Sequence, residues 1–139
     1  MSRKGVIPYL LYKDLPAASQ WLQQAFGFTV SHTMERDGKM THAELLGEEA
    51  SLVMLGCPGE NYKSPKESNH ASAHLYVYTA DLNKKFVQAK AAGATVLQPP
   101  ELQPYGDRTF CVADLEGHRW YFASTVDASA ASDVEQDAG

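Results

Sequence analysis

Residues 14–30, DLPAASQWLQQAFGFTV, and residues 81–96, DLNKKFVQAKAAGATV, carry the same pattern twice, and this pattern decides the fold. Each stretch opens with Asp-Leu, continues with apolar residues at helical spacing, and ends in a glycine followed by strand-forming residues. The aspartates suit the start of a helix and the glycines suit its exit. The opening aspartates lie 67 residues apart, so we predict a duplicated unit.

Strand-like segments surround both helices in the same order. VIPYLLY precedes the first helix at residues 6–12, and AHLYVY precedes the second at residues 73–78. Further strands are predicted at residues 28–34, 40–46, 50–55, 95–97, 108–113 and 119–123. Residues 99–106 are predicted to form a loop, because they hold three prolines and a glycine.

The pattern predicts a single α+β domain over residues 1–125, built from two βαβββ repeats. Repeat one spans residues 5–56, a polar linker spans 57–71, and repeat two spans 72–125. The small, polar segment 126–139 is expected to be a flexible tail.

The net charge of −5 is mostly a property of that tail, which contains four acidic and no basic residues. The rest of the chain therefore carries only −1 and has no basic face for nucleic acid. No apolar run approaches the roughly 20 residues that cross a bilayer, and the start of the chain does not resemble a secretory signal. We expect a cytoplasmic protein that binds neither nucleic acid nor a membrane.

Four stretches between Val6 and Phe122 carry a resemblance to a known family: VIPYLLYKDLPAASQWLQQAFGF, HAELLGEEASLVML, HLYVYTADLNKKFVQAKAAGATV and GDRTFCVADLEGHRWYF. In this order they resemble the vicinal oxygen chelate superfamily, which includes glyoxalase I, extradiol dioxygenases, fosfomycin-resistance enzymes and bleomycin-binding proteins. Within the superfamily, these stretches are most similar to small glyoxalase-like proteins. The resemblance implies a cupped mixed sheet around a ligand cavity, the glyoxalase/bleomycin-resistance fold, and a homodimer.

The resemblance also implies where a metal would sit. Metalloenzymes of the family hold Zn, Ni, Mn or Fe with up to four ligands, on the first and last strands of each repeat. In this chain the four positions fall at Ile7 or Pro8, Met54 or Val53, His74, and Tyr121. Only His74 is a conventional ligand for such metals. We therefore expect no cofactor, with a divalent metal on His74 and Tyr121 as the alternative.

His42 and Glu44 form a second candidate site, because side chains two residues apart on a strand point to the same face. Their strand is the third of its repeat, which is not where the resemblance places metal ligands. A polar pair lining the cavity is favoured over a metal site. If a reaction is catalysed without metal, His74 or Glu44 is the candidate general base.

Aromatic residues supply most of the remaining candidates. Tyr9, Tyr76 and Tyr121 lie on predicted strands, and Tyr105 lies on a loop near Arg108. Arg108 could hold a ligand carboxylate, or it could pair with a neighbouring aspartate. The predicted cavity lining is Tyr9, His42, Glu44, Met54, His74, Tyr76, Tyr105, Arg108 and Tyr121.

Two functions remain open. The loss of conventional ligands beside a retained aromatic lining favours a small-molecule-binding, bleomycin resistance protein-like function, with an antibiotic or aromatic metabolite as ligand. The alternative is a metal-dependent lyase, isomerase or dioxygenase with a rearranged site. Neither a GxSxG elbow nor a glycine-rich phosphate loop occurs in the sequence.

Overall fold

The computed structural model describes residues 5–125, which form two four-stranded sheets and three helices. The predicted acidic tail, residues 126–139, lies outside the described residues. Between residues 5 and 125, no helix has both the length and the apolar character needed to span a bilayer.

The first repeat contributes one sheet and one long helix. Its elements are β1 (Tyr9–Leu11), α1 (Leu15–Phe26), β2 (Thr29–Arg36), β3 (Lys39–Leu46) and β4 (Leu52–Gly56). A short 3-10 turn, Glu48–Ala50, joins the last two strands. The strand order is β1-β4-β3-β2, with β1 and β4 parallel and the other pairs antiparallel.

The second repeat has the same arrangement. After a short helix α2 (Pro65–Ser68), its elements are β5 (His74–Tyr78), α3 (Leu82–Ala91), β6 (Thr95–Leu102), β7 (Asp107–Ala113) and β8 (Arg119–Thr125). The strand order is β5-β8-β7-β6, again with the first and last strands parallel. The predicted α+β fold of two βαβββ units is confirmed.

The duplication extends to the strand register. Tyr9 pairs with Met54 across β1 and β4, and Tyr76 pairs with Tyr121 across β5 and β8. Each residue of the second pair lies 67 positions after its counterpart, the offset predicted from the helix starts. The two helices also begin alike, because Asp14 and Asp81 each accept a backbone N–H bond of 3.1 Å from the first turn.

One hydrophobic core joins the two repeats. The apolar face of α1 is buried, as its spacing predicts, at Leu15, Ala18, Leu22, Ala25 and Phe26. The ring of Phe26 lies 5.0 Å from Trp120 and 4.8 Å from Phe122, both on the last strand of the other repeat. Since neighbouring strand residues alternate faces, Trp120 enters the core while Tyr121 points away from it.

Two glutamates clamp the repeats together in a reciprocal way. Glu116, in the turn before β8, accepts bonds of 2.7 and 2.9 Å from the backbone N–H groups of residues 13–14, just ahead of α1. Glu48, in the turn before β4, accepts the Thr79 hydroxyl and a 3.1 Å bond from the Ala80 N–H, just ahead of α3. Each repeat therefore fixes the residues that precede the other repeat's helix.

A buried carboxylate reinforces one of these clamps. Asp114 accepts the Tyr12 hydroxyl from repeat one and a 3.0 Å bond from the Trp120 indole N–H. Burial raises the pKa of Asp114, and burial with the neighbouring Asp114 raises that of Tyr12. The His118 ring donates from Nε2 to the Leu11 carbonyl at 2.8 Å, which adds a further bond between the repeats.

The predicted length of strand β6 was wrong. We predicted a strand at residues 95–97 followed by a loop from Pro99, whereas β6 runs through Pro99 and Pro100 to Leu102. β6 is an edge strand with two register shifts, so the missing proline N–H groups cost it little pairing. The linker also contains α2, a helix that we did not predict, although Ser64 and Glu67 have the spacing of a capping box.

We predict that Glu48→Gln lowers the free energy of unfolding by about 1–2 kcal/mol at neutral pH, because it weakens charge-assisted bonds at a partly exposed site. The Thr79 hydroxyl, the Ala80 N–H and Lys85 together hold the pKa of Glu48 below its ordinary value against desolvation. The stabilisation is therefore present above the ordinary glutamate pKa and is lost as the pH falls through the lowered one.

Urea unfolding of wild type and variant across acidic to neutral pH measures this difference. The curves should converge at low pH, and Glu35→Gln, an exposed β2 substitution, should show no such pH-dependent loss. An equal loss at every pH would contradict the clamp.

Candidate ligand-binding site

A groove of about 690 Å³ separates the two sheets where their edge strands β1 and β5 approach each other. Tyr9 lines it from the first sheet, and His74, Tyr76 and Tyr78 line it from the second. Its floor is apolar and includes Phe28, Leu52, Val53, Leu75, Val77 and Trp120. Its size falls within the roughly 300–1,000 Å³ typical of small-molecule sites.

Each sheet has one face that packs in the core and one face turned away from it, which we call the open face. The open face of the second sheet carries an aromatic row that adjoins the groove. Alternation along β5 and β8 places His74, Tyr76, Tyr78 and Tyr121 on this face. The Tyr76 and Tyr121 rings are nearly parallel, with centroids 6.0 Å apart and planes 18° apart, and His74 lies 5.4 Å from Tyr121. Tyr105 reaches over from its loop, with its hydroxyl 3.4 Å from that of Tyr76.

Asp107 anchors two of these tyrosines. Its carboxylate is buried and accepts hydrogen bonds of 2.8 Å from both the Tyr76 and the Tyr78 hydroxyls. Desolvation, with the bonds to Tyr105 and Asp107, raises the pKa of Tyr76; the Asp107 bond is the main cause of the raised pKa of Tyr78. Both phenols therefore stay protonated at neutral pH and direct their protons toward Asp107.

The first sheet presents a different polar chain on its open face. The Tyr9 hydroxyl lies 3.0 Å from His42 Nδ1, and His42 Nε2 lies 2.8 Å from the Glu44 carboxylate. Glu44 is buried, His42 is partly buried, and Tyr9 is half exposed at the groove. The predicted polar pair thus belongs to a chain of three side chains that spans β1 and β3.

Gly56 allows this chain to form. It lies on β4 between the other two strands, directly paired with His42. A Cβ built on Gly56 would lie 2.5 Å from the Tyr9 ring, closer than real side-chain contacts allow. The ring therefore occupies the space that any larger residue's side chain would take.

The structure divides the predicted cavity lining into two groups. His74, Tyr76, Tyr105 and Tyr121 lie together on the second sheet, whereas Tyr9, His42, Glu44 and Met54 share the open face of the first. Tyr9, His74 and Tyr76 meet across the groove.

Arg108 corrects the remaining expectation, since the structure does not place it at a ligand-contacting rim. It is buried, and its Nη1 donates to the side-chain carbonyl of Asn83 on α3. The parity of β7 explains this position, because Arg108 shares its face with Phe110 and Val112, which pack in the core.

Three residues of the site were not predicted. Tyr78 continues the alternation of His74 and Tyr76, so strand parity alone could have identified it. The sequence indicates Asp107 only as a neighbouring aspartate for Arg108, and its contact with two tyrosines depends on tertiary structure. Gly56 carried no local signal, because its role is to leave room for a ring from another strand.

Among the described residues, the side chains around His74 do not make up a conventional metal-donor set. Within residues 5–125, no three His, Cys, Asp or Glu side chains converge to hold one. Tyr121 lies beside His74, but desolvation and its contact with Cys111 raise the pKa of its phenol. A raised pKa opposes the tyrosinate form that would bind a metal.

Comparison with known proteins gives one consistent result. Residues 7–122 match the family model described as the Glyoxalase/Bleomycin resistance protein/Dioxygenase superfamily. The chain is 31% identical over 126 residues to the uncharacterized protein Mb0911c of Mycobacterium bovis, covering 86% of this chain and 82% of that protein. It is equally identical to Rv0887c of Mycobacterium tuberculosis, covering 73% of that protein.

Solved structures show the same architecture. TioX from Micromonospora sp. ML1 is similar with a TM-score of 0.73 and 31% identity, covering 89% of this chain and all of that chain (100%). A superfamily member from Sphaerobacter thermophilus is similar with a TM-score of 0.70 and 19% identity, covering 87% of this chain and 98% of that chain, and supports the fold alone.

We predict that Asp107→Asn lowers the pKa of Tyr78 toward its ordinary value, because the carboxylate bond is the main cause of the upward shift. Ultraviolet titration of the tyrosines measures this change. The matched control is Asp37→Asn in the exposed β2–β3 turn, which should leave the tyrosine titration unchanged. An unchanged titration in Asp107→Asn would show that Asp107 does not orient these phenols.

Proposed function

This chain belongs to the glyoxalase/bleomycin resistance protein/dioxygenase superfamily, and from that membership and the site geometry we propose that it binds a planar aromatic small molecule. The ligand lies in the groove between β1 and β5 and stacks against the aromatic row of the second sheet. An antibiotic or an aromatic metabolite is the class of compound that fits this site, and sequestration is the resulting function.

The observation that carries this proposal is the exposure of an ordered aromatic row. Tyr76 is 43% exposed and Tyr78 is 52% exposed, yet Asp107 holds both hydroxyls in place. Ordered rings lose little conformational entropy when a ligand stacks on them. Aromatic stacking adds about 0.5–1.5 kcal/mol per pair beyond the apolar area that is buried.

Binding through stacking and apolar burial needs no metal, and we propose that the ligand is held without one. The donor set supports this, because His74 is the one conventional ligand at the four positions implied by the family resemblance. A metal-dependent lyase, isomerase or dioxygenase would require additional donors near His74.

We predict that planar aromatic antibiotics raise the thermal unfolding midpoint of the protein, since a ligand that binds only the folded state stabilises it. Tyr76→Leu keeps an apolar side chain but removes the ring. The apparent affinity derived from the ligand dependence of the midpoint should fall about threefold to tenfold. Val87→Ala, an exposed change on α3 away from the groove, is the control and should bind as wild type.

The same titration after treatment with a chelator tests the metal-free part of the proposal, and the shift should persist. Binding lost on chelation and restored by Zn, Ni, Mn or Fe would favour the enzyme alternative. No shift with any compound at high concentration would count against binding itself.

We also propose that the protein is a homodimer. Strands β2 and β6, at the sides of the sheets away from the groove, each have one side unpaired among the described residues, and unpaired strand edges favour association. Exposed apolar residues lie on these two strands and on β3, beside β2: Val30, Met34, Leu46 and Leu97. A second copy of the chain would cover them.

Light scattering coupled to size-exclusion chromatography is expected to give twice the chain mass. Lys substitution of an apolar residue on an open sheet face, Met34→Lys, should shift the population toward monomer because it places a charge in the interface. A monomer at all concentrations in wild type would contradict the dimer, while leaving ligand binding by the single chain intact.

A further inference from the structure

We propose that the groove between β1 and β5 takes a short peptide-like compound in an extended conformation, which inserts between the two strands and bonds their backbones as an added strand does. The inference rests on the proposed function, because it names the class of aromatic compound that the groove holds. The backbone groups that face the groove carry it, together with the lining of the groove.

The backbone of β5 has one side that bonds β8 and one side that faces the groove. In a parallel pair, alternate residues of a strand direct both their N–H and their C=O to the same neighbour. The Thr79 N–H donates to the Ala123 carbonyl over 2.8 Å, so the residues two and four positions before Thr79 also bond β8. The backbone groups of His74, Tyr76 and Tyr78 therefore point the other way, into the groove that these residues line.

The backbone of β1 is divided in the same way. The Met54 N–H of β4 donates to the Pro8 carbonyl over 3.0 Å, and the Tyr12 N–H donates back to β4 over 3.0 Å. Since the even-numbered residues of this segment bond β4, the backbone groups of Tyr9 and Leu11 point to the opposite side, toward the second repeat.

The Leu11 carbonyl shows that these edge groups take partners where the chain provides them. It accepts a 2.8 Å bond from the His118 ring and a 3.2 Å bond from the Tyr62 hydroxyl. At Tyr9, by contrast, no backbone bond crosses the groove within residues 5–125, because β1 and β5 belong to separate sheets. Unpaired N–H and C=O groups along a strand edge are a template for pairing with another chain.

The two walls suit a strand-like ligand in composition and length. Neither β1 nor β5 contains a charged side chain or a proline, the residues that commonly protect an open strand edge. β5 has 5 residues, and at about 3.3 Å per residue its edge is about 16 Å long. A compound with about four peptide bonds spans this length at the same rise per residue.

The side chains of an inserted strand would alternate between two surfaces. One surface is the apolar floor, which includes Phe28, Val53 and Trp120. The other is the aromatic row, where the Tyr76 and Tyr121 rings lie nearly parallel. The preferred ligand therefore carries an aromatic side chain for the row and apolar side chains on either side of it for the floor.

Three probes test this preference by calorimetry: N-acetyl-Leu-Trp-Leu-amide, its analogue with an ester oxygen in place of the tryptophan N–H, and 3-methylindole, the ring alone. Wild type should bind the peptide at least about tenfold more tightly than 3-methylindole. The ester should bind about threefold to tenfold more weakly than the peptide, because it lacks one hydrogen-bond donor.

A proline substitution tests the backbone of the protein itself. His74→Pro removes an N–H that points into the groove and leaves the bonds to β8, and proline is tolerated at the first residue of a strand. His74→Ala is the matched control, because it also loses the ring but keeps the N–H. His74→Pro should bind the peptide about threefold to tenfold more weakly than His74→Ala, while both bind 3-methylindole alike.

The outcomes separate this inference from the proposed function. Equal affinity for peptide and ester, no gain over 3-methylindole, or equal peptide binding by the two His74 variants overturns strand insertion, while binding of 3-methylindole still supports the aromatic site. Failure to bind any of the three probes overturns both.

Amide hydrogen exchange measured by NMR examines the same edges directly. In the free protein the N–H groups of Tyr9 and Tyr76 should exchange rapidly, whereas those of Leu75 and Val77, which bond β8, should be protected. Saturation with the peptide should slow exchange at Tyr9 and Tyr76. Protection of both already in the free protein would show that another part of the chain or a second copy pairs with these edges, and it would overturn the inference, as would exchange unchanged by the peptide.

Discussion

The reciprocal clamp formed by Glu48 and Glu116 constrains how the two repeats sit against each other. Each carboxylate accepts bonds from the chain just ahead of the other repeat's helix, so neither helix start is fixed by its own repeat alone. The shared core of Phe26, Trp120 and Phe122 forms behind these contacts. The position of the two sheets, and hence the groove between them, follows from this arrangement.

Once the repeats are held in this way, the inner face of each sheet is fully used by the core. The open faces remain available for binding, and strand alternation places aromatic and polar residues on them. The second sheet carries the aromatic row, whereas the first carries the hydrogen-bonded side chains of Tyr9, His42 and Glu44. A duplicated unit has thereby produced two faces with different chemistry, which meet only across the groove.

Much of the fold could be predicted from the sequence, because capping, helical spacing and strand alternation are local signals. Asp14, Asp81 and the 67-residue offset were sufficient to predict two equivalent units. β6 was predicted too short, since the tolerance of an edge strand for Pro99 and Pro100 depends on its neighbours in the sheet.

The candidate site was less predictable for the same reason. Residue types identified His74, Tyr76 and Tyr121, and strand parity placed them on one face. Arg108 was misplaced, because the sequence did not reveal which face of β7 meets the helices. Asp107 and Gly56 act through contacts with rings on other strands, and such contacts leave no local pattern.

The long-range contacts of Asp114 and Glu116 also constrain how the chain acquires its structure during synthesis. The Tyr12–Asp114 and Asp14–Glu116 bonds each join residues 102 positions apart. A ribosome-bound chain that ends before β7 lacks both carboxylates, so its first helix and the aromatic core beside it stay unsupported. Native structure therefore forms late and nearly all at once, at the slower rate expected for a topology rich in distant contacts.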